Sequence, residues 1–129
     1  MIICSWNINS IRVRENQLLK LIEVIKPDVI FLQEIKCDNK EFPKTFIKHN
    51  YNSIVNGEKG KYGVAILIKN KIKYKTISFD SDTLNRQARI VGIRLMENFK
   101  LNLINIYSPN GNPMEDNGKF KFKLEWLDE

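Results

Sequence analysis

Apolar residues in the first third of the chain follow two repeats, one typical of strands and one typical of helices. Residues 2–6 form an apolar run that predicts a first buried strand. A helix is predicted next, because apolar residues recur on one face at Leu18, Leu19, Ile22 and Ile25. Pro27 ends that helix. The continuous apolar run at 29–32 predicts a strand that is covered on both faces.

The middle of the chain is rich in predicted strands. A polar loop over residues 36–41 first leads through Pro43 to a short helix that ends near His49. Strands separated by turn residues are then predicted at 51–56, 62–68, 71–79, 89–95 and 101–107. A short polar turn around Glu97 and Asn98 joins the last two strands, which predicts a hairpin.

The last segment, which follows a loop rich in Pro, Asn and Gly at 108–118, fits two kinds of structure. A strand would explain the alternating apolar residues Phe120, Phe122, Leu124 and Trp126. A helix would explain the spacing of Phe120, Leu124 and Leu127, with Asp116 or Asn117 as its cap. Periodicity leaves this choice open.

Strands and helices are mixed along the chain, which indicates a layered α/β protein. The chain stops at 126–129, inside an apolar-patterned element, whereas a domain usually ends in a polar tail. We therefore expect an interrupted sequence; at 129 residues the chain fits a single domain without a second one.

Composition narrows the class of protein. Hydrophobic residues make up 43% of the chain and charged residues 28%, a globular balance without a disorder signature. No apolar run approaches the ~20 residues that cross a bilayer, and the N-terminus lacks the pattern of a secretory signal. We expect a cytoplasmic protein with no membrane partner. Cys4 and Cys37 lack metal-like spacing and are interpreted as reduced thiols.

The net charge of +6, from 21 Lys and Arg against 15 Asp and Glu, favours a polyanionic partner. A lysine-rich protein without a nucleic-acid role would show the same charge, so charge alone leaves both readings open. One cluster of lysines alternates at Lys69, Lys71, Lys73 and Lys75. We favour a solvated outer strand whose lysines discourage edge pairing over a phosphate-binding stripe.

Three polar residues follow predicted strands and are candidates for chemistry. Glu34 comes after the apolar run at 29–32, at the edge where ligand sites of open α/β sheets gather, and its carboxylate suits a hard cation such as Mg²⁺. Asn7 and Tyr107 each end a further strand. Taken singly, these residues are more simply explained as a solvated Glu, a turn-forming Asn and a core Tyr.

A second set of residues has the chemistry of phosphate contacts. Residues 57–63 combine glycines with Lys61 and Tyr62, so backbone amides and a lysine could hold a phosphate strand while the ring packs on a sugar or base. Arg89, at the start of a strand, could act similarly. A hairpin loop and a surface arginine are the plain alternatives.

Five segments, taken together, favour the functional explanation of these residues over the plain one. Residues 27–36, PDVIFLQEIK, closely resemble the signature segment of exonuclease III-type AP endonucleases. Residues 5–12, SWNINSIR, are similar to that family's opening strand. Three further segments are similar to the family's later motifs and occur in the same order, namely GKYGVAIL at 60–67, RQAR at 86–89 and NIYSPNG at 105–111. The resemblance covers essentially the whole chain.

The resemblance implies specific roles and a fold. Glu34 would be a metal ligand, with Asn7 beside the metal and Tyr107 as the active-site tyrosine. Residues that would contact DNA are Lys61, Tyr62, Arg89 and Asn110. The implied fold is a four-layered α/β sandwich with mixed, largely antiparallel sheets, the endonuclease/exonuclease/phosphatase architecture, here truncated. The last segment would then be a helix.

The resemblance also implies parts that this sequence lacks. The family's second half brings a Gly-Asp-x-Asn type motif and an Asp-His pair, and neither occurs here. His49 matches no catalytic position, and Asp80 and Asp82 are interpreted as solvated turn residues. The implied parent is a monomeric DNA-repair nuclease that uses Mg²⁺ or Mn²⁺ on double-stranded DNA with abasic sites or 3′ ends.

We therefore predict that the parent hydrolyses DNA 5′ to abasic sites and degrades it from 3′ to 5′, and that this chain alone is inactive. A positioned base is needed to activate water, and its loss typically costs ~10²–10⁴ in rate. Two alternatives stay open: a non-catalytic remnant or half that requires a partner chain, and a related phosphatase of lipid or inositol phosphates.

Overall fold

The computed structural model describes residues 1–96, 100–113, 115 and 117–129. Strands and helices alternate along the chain as expected for an α/β protein. The strands are β1 (Ile3–Asn7), β2 (Val29–Gln33), β3 (Tyr51–Asn56), β4 (Val64–Lys69), β5 (Tyr74–Ile77), β6 (Ile90–Leu95) and β7 (Asn102–Ile106). The helices are α1 (Ile11–Ile25), α2 (Thr45–Lys48), α3 (Asp82–Asn85) and α4 (Asn117–Asp128).

The strands form two sheets. The first, sheet A, has four strands in the order β1-β2-β4-β3, and the second, sheet B, has three in the order β5-β6-β7. Only β1 and β2 are parallel, with Ile3 opposite Val29; every other described pair is antiparallel. The antiparallel pairing of β6 with β7 confirms the predicted hairpin, whose turn around Glu97 and Asn98 lies outside the described residues.

Two hydrophobic clusters lie on the two faces of sheet A. Alternate residues of a strand point to opposite faces, and β2 accordingly sends Ile30 and Leu32 to one cluster and Val29 to the other. Helices α1 and α2 cover the outer face of sheet A. Sheet B packs on its inner face, where β4 contributes Ile66 and Ile68. The predicted mixed, largely antiparallel α/β sandwich is confirmed.

Backbone hydrogen bonds fix both ends of helix α1. The Ser10 and Ile11 amides donate to carbonyl oxygens of residues 34 and 35 at 2.7 and 3.1 Å. At the other end Lys26 is left-handed, with φ 51°, and its amide donates to the Ile22 carbonyl. Ile25 is 46% exposed, so its predicted place on the buried face is wrong. The last turn of α1 reaches the end of the sheet, where the chain turns back through Pro27.

Two other predictions need correction, whereas the helix that the resemblance implied for the last segment is confirmed. Strand β4 begins at Val64 rather than at residue 62, because Tyr62 and Gly63 adopt left-handed backbone angles. Asp82 begins a single-turn helix rather than lying in a loop, with the Ser81 hydroxyl accepting from the Leu84 amide at 3.2 Å. So short a helix leaves no periodicity in the sequence. The ambiguous last segment is the helix α4.

The four alternating lysines do not share one strand. Lys69 ends β4 and its Nζ lies 2.9 Å from Asp28 Oδ1, which holds the pKa of Asp28 below its usual value. Lys71 and Lys73 are exposed in the turn that follows. Lys75 is exposed on β5, an edge of sheet B, as expected of a solvated outer strand.

One buried side chain joins the two sheets. Asn105 of β7 is 1% exposed, and its Nδ2 donates to the carbonyl oxygens of Leu32 and Ala65 at 2.9 Å each. Its Oδ1 accepts from Gln33 Nε2 at 2.7 Å. Because these groups are buried or half-buried, losing the Asn105 amide would leave two carbonyl oxygens without this partner.

The substitution Asn105→Ala is expected to lower the free energy of unfolding by roughly 2–4 kcal/mol, since each unsatisfied buried polar group costs about 1–3 kcal/mol. The matched control is Asn102→Ala on the same strand, where the exposed side chain accepts from Arg94 Nε. That change should cost less than about 0.5 kcal/mol. Urea denaturation measures both; equal effects of the two substitutions would contradict the assignment.

Candidate active site

Three of the predicted site residues lie close together at the C-terminal ends of three strands. Asn7 is the last residue of β1, Glu34 follows β2 and Tyr107 follows β7. Asn7 Nδ2 donates to Glu34 Oε1 at 2.8 Å, and the Tyr107 hydroxyl donates to the same carboxylate. These three side chains, which are far apart in the sequence, form one hydrogen-bonded group that we call the tip cluster.

The tip cluster favours a charged carboxylate beside a protonated phenol. The hydrogen bond from Asn7 is the main cause that lowers the pKa of Glu34, with Tyr107 and Lys36 contributing in the same direction. Burial is the main cause that raises the pKa of Tyr107, and the Glu34 carboxylate adds to it. At neutral pH the site therefore presents an anionic oxygen and a hydrogen-bond donor.

Several residues around the tip cluster have left-handed backbone conformations, which residues other than glycine rarely adopt. Positive φ angles occur at Asn9, Ser10, Glu34, Lys36 and Tyr62. Such angles persist where the surroundings over-determine them, and they concentrate at functional sites. Here the constraint is a set of backbone hydrogen bonds, including those from the amides of residues 35 and 36 to the carbonyls of residues 63 and 62, both at 3.1 Å.

Gly63 is required by this arrangement. Its φ is 83°, and a Cβ added there would lie 2.5 Å from Ile35 Cγ1. No larger residue could let the loop before β4 approach the end of β2 this closely. The glycine therefore helps to set where Glu34 leaves the sheet.

Lys36 is a further polar neighbour of the carboxylate. Its Nζ donates to Asn9 Oδ1 at 2.6 Å and lies 3.5 Å from Glu34 Oε2. Lys36 lies in the segment that resembles the family signature, yet it was not predicted as a site residue, because a lysine in a polar loop is ordinarily solvated. Only the left-handed turns at Glu34 and Lys36 bring its ammonium group back to the carboxylate.

Arg89 is buried rather than exposed. Its guanidinium lies 4.0 Å from the centre of the Tyr62 ring and 4.8 Å from that of Tyr107. It also donates to the carbonyl oxygens of Tyr107 and Ser108 at 3.1 and 3.4 Å, and only 5% of the residue is exposed. In this structure Arg89 holds the two tyrosines together, and its predicted contact with DNA stays a prediction.

A cavity of about 200 Å³ lies beside the tip cluster. Four of the predicted site residues line it, namely Tyr62, Arg89, Tyr107 and Asn110. Lys61 is exposed next to this cavity, with its Nζ 5.3 Å from the centre of the Tyr62 ring and 3.3 Å from Glu58 Oε1. The structure thus brings the predicted metal-ligand and DNA-contact residues to one end of the sandwich.

The supporting residues Gln33 and Asn105 were not predicted from the sequence. Gln33 donates to Ser5 Oγ at 3.1 Å as well as to Asn105, so it connects β1, β2 and β7 directly beneath the tip cluster. The available signal was a polar residue inside an otherwise apolar strand. That signal marks a buried hydrogen bond, but it does not identify the partner.

The remaining titratable candidates lie elsewhere. His49 follows α2 and lines a separate cavity with Lys26 and Lys69. Asp80 is exposed. Cys4 and Cys37 are free cysteines, and burial raises the pKa of Cys37 to about 11, so its thiol stays protonated at neutral pH.

The oxygen donors at the tip cluster fit part of a hard-cation site. Mg²⁺ is commonly bound through one or two carboxylates and keeps several waters. The Glu34 carboxylate is one such ligand, and Asn7 can offer its Oδ1 because its Nδ2 makes the bond to Glu34. Within the described part of the chain, no group of three or more His, Cys, Asp or Glu side chains could hold a metal.

The fold is a two-sheet α/β sandwich with a polar cluster at its strand ends, and comparison with known proteins identifies its family. Residues 4–126 match the Endonuclease/Exonuclease/phosphatase family. The chain therefore belongs to that family. It is 40% identical over 121 residues to exodeoxyribonuclease III of Haemophilus influenzae, a match that covers 92% of this chain and 45% of the relative.

Solved structures agree with this assignment. An AP endonuclease from Archaeoglobus fulgidus superposes with a TM-score of 0.86 at 30% identity, covering 99% of this chain and 49% of that one. A Neisseria 3′ phosphatase bound to a product DNA hairpin gives 0.84 at 29% identity, with the same coverage. The chain spans about half the length of these relatives and corresponds to their N-terminal half.

The helices of the described residues include none that is long and apolar enough to cross a membrane.

The hydrogen bonds that Glu34 accepts can be tested through its pKa. Asn7→Ala and Tyr107→Phe each remove a donor to the carboxylate, so each should raise the pKa of Glu34 towards its usual value. The side-chain carboxyl carbon of Glu34, followed by NMR during a pH titration, reports the change. Asn102→Ala, on a remote strand face, serves as the control and should leave this pKa unchanged. An unshifted pKa in both site variants would contradict the described cluster.

Proposed function

We propose that this chain is part of a DNA-repair nuclease that hydrolyses the phosphodiester 5′ to abasic sites with Mg²⁺ or Mn²⁺ and removes nucleotides from 3′ ends. The observation that carries the proposal is the convergence of Asn7, Glu34 and Tyr107 at one point. The relatives support the same activity: two are an exodeoxyribonuclease and an AP endonuclease, and a third structure holds DNA.

The proposed roles follow from the chemistry of each group. Glu34 and Asn7 would hold the divalent ion, which would neutralise charge on the attacked phosphate. The Tyr107 hydroxyl, which stays protonated, would donate a hydrogen bond to a phosphate oxygen or keep the Glu34 carboxylate in place. Lys61, Tyr62 and Asn110 surround the adjoining cavity and its rim, where a nucleic-acid backbone could lie.

The described residues lack one function that hydrolysis requires. Activation of water needs a positioned base within hydrogen-bond reach of the water. Glu34 is the carboxylate of the tip cluster, and we assign it to the divalent ion rather than to the water. We propose that residues 1–129 form the N-terminal half of one domain, and that this half alone is inactive.

Two other functions remain as alternatives. The chain could be a non-catalytic remnant or a half that acts with a partner chain, which the single carboxylate of the tip cluster favours. A related phosphatase acting on lipid or inositol phosphates is a weaker candidate, because the net charge of +6 and the exposed Lys61 suit a polymeric anion. Competition between abasic duplex DNA and phosphoinositides distinguishes the two substrates.

Activity can be tested with a covalent chimera. This chain is joined to the part of Haemophilus influenzae exodeoxyribonuclease III that lies outside its matched residues, and cleavage of an abasic duplex is measured with Mg²⁺. The chimera should cut 5′ to the lesion and leave a 3′-hydroxyl, and the unfused chain should not. Uncut DNA with a folded chimera would contradict the proposal.

In the same chimera, Glu34→Gln should reduce the cleavage rate by roughly 10²-fold or more, the scale seen when one charge-stabilising group is removed from an active site. Glu41→Gln is the matched control, because Glu41 lies in an exposed pair with Arg12 at 3.9 Å. Its rate should stay unchanged. A chimera that tolerates Glu34→Gln would exclude Glu34 as a metal ligand.

A further inference from the structure

A cavity of about 350 Å³ lies at the end of sheet A opposite to the tip cluster. It is formed where β3 begins and β4 ends, beside the start of β2 and the last turn of α1. We call it the lysine cavity, because Lys26, Lys69 and Lys71 line it. Glu34 follows the other end of the five-residue strand β2, so the two sites lie roughly 17 Å apart along that strand.

Backbone hydrogen bonds fix the rim of the lysine cavity. The Asn70 amide donates to the Asn50 carbonyl at 2.8 Å, and the Lys69 amide donates to the Asp28 carbonyl at 3.0 Å. Asn50 and Lys26 both have left-handed backbone angles, with φ 66° and 51°. The backbone therefore sets the shape of the cavity, as in small-molecule sites, which are usually largely pre-formed.

The floor of the lysine cavity is apolar. Ile22 of α1 and Tyr51 of β3 line it, and these residues are only 5% and 2% exposed. Both belong to the hydrophobic cluster that α1 covers. The Tyr51 hydroxyl donates to the Pro27 carbonyl, which holds the ring in place. A ligand that reaches this floor is stabilised most by an apolar or aromatic group, which buries its surface there.

The rim is positively charged and only partly neutralised. Lys69 Nζ donates to Asp28 Oδ1 at 2.9 Å and to the Lys26 carbonyl at 2.8 Å. Asp28 thus balances the charge of Lys69, and Lys69 in turn offsets the partial negative charge at the C-terminal end of α1. Lys26 and Lys71 are exposed and form no ion pair within the described part of the chain. Two ammonium groups without a carboxylate, next to the imidazole of His49, favour an anion.

We propose that the lysine cavity binds a nucleoside monophosphate. The phosphate contacts Lys26 and Lys71, and the base packs against Ile22 and Tyr51. This class of ligand combines the two features that the cavity offers, an apolar floor and a cationic rim. The volume of about 350 Å³ falls within the roughly 300–1,000 Å³ of small-molecule sites. The site does not rest on the proposed function, because neither the tip cluster nor a metal takes part in it.

The backbone of a nucleic acid is the other ligand that clustered lysines suggest. Backbone contacts need a row of cations along the strand, and an apolar floor adds nothing to them. Lys73 and Lys75, further along the same segment, are exposed but do not line the cavity. The cations that do line it surround a concave site, and for this reason we assign the cavity to a small nucleotide.

The test titrates this chain, without added metal, with deoxyadenosine monophosphate and follows its NMR signals. The backbone amides of residues 49–51 and 69–71 should shift together, and those of Glu34 and Tyr107 should not. Deoxyadenosine alone and inorganic phosphate alone should each bind at least about tenfold more weakly, because each fills one part of the cavity. Equal affinity for inorganic phosphate, or shifts confined to Glu34 and Tyr107, would overturn the proposal.

Two lysines of the same turn provide a matched pair of variants. Lys71→Ala should weaken binding of deoxyadenosine monophosphate about fivefold or more, because it removes a charged partner of the phosphate. Lys73→Ala, at an exposed position outside the cavity, should leave the affinity unchanged. Lys26→Ala should act like Lys71→Ala without displacing Lys69, which bonds to the Lys26 carbonyl rather than to its side chain. Equal losses in Lys71→Ala and Lys73→Ala would indicate diffuse attraction to positive charge and contradict the proposal.

A duplex oligonucleotide distinguishes the small ligand from the polymer. The shifts that deoxyadenosine monophosphate causes at residues 49–51 and 69–71 should persist when the duplex is added. If the duplex instead displaces the nucleotide from these residues, the lysines form a nucleic-acid contact and the proposal is wrong. Cleavage of abasic DNA by the chimera is a separate readout, so failure of the proposed function and failure of this proposal can be told apart.

Discussion

The position of the candidate site depends on one buried amide. Asn105 ties β7 to the backbone of β2 and β4 and accepts from Gln33, which in turn reaches Ser5 of β1. Gln33 and Asn105, which make these bonds, lie one residue before Glu34 and two residues before Tyr107 in the sequence. The two sheets could slide on an apolar interface, but directed hydrogen bonds fix their register. These hydrogen bonds therefore fix the C-terminal ends of β1, β2 and β7 relative to one another.

The residues that follow these strand ends are polar, and several of them have strained backbone angles. Left-handed residues turn Glu34 and Lys36 back over the sheet, and the carboxylate accepts from Asn7 and Tyr107. Arg89 lies between two aromatic rings and orders the segment that carries Tyr107. The site is thus preorganised around a negative charge, with donors already in place before any ligand arrives. In the described part of the chain, two of the strands that end at the site, β1 and β7, each pair with a single neighbour.

Sequence patterns predicted what depends on local periodicity. Strand ends gave Asn7, Glu34 and Tyr107, since a polar residue after an apolar run marks the edge of a sheet. They could not give the burial of Arg89, because that requires Tyr62 and Tyr107 to meet across two sheets. The helix α3 was missed because one turn has no repeat, and Ile25 was misplaced because helical spacing does not tell where the sheet beneath ends.

The central claim is that Asn7, Glu34 and Tyr107 surround the position of a single divalent ion. Titration of the chain with Mn²⁺, followed by paramagnetic broadening of its NMR signals, tests this directly. We predict that the Asn7 and Tyr107 side-chain signals broaden together and that Glu34→Gln abolishes the effect. Broadening centred on the exposed Asp80, or broadening at Asn7 and Tyr107 that survives Glu34→Gln, would contradict the account.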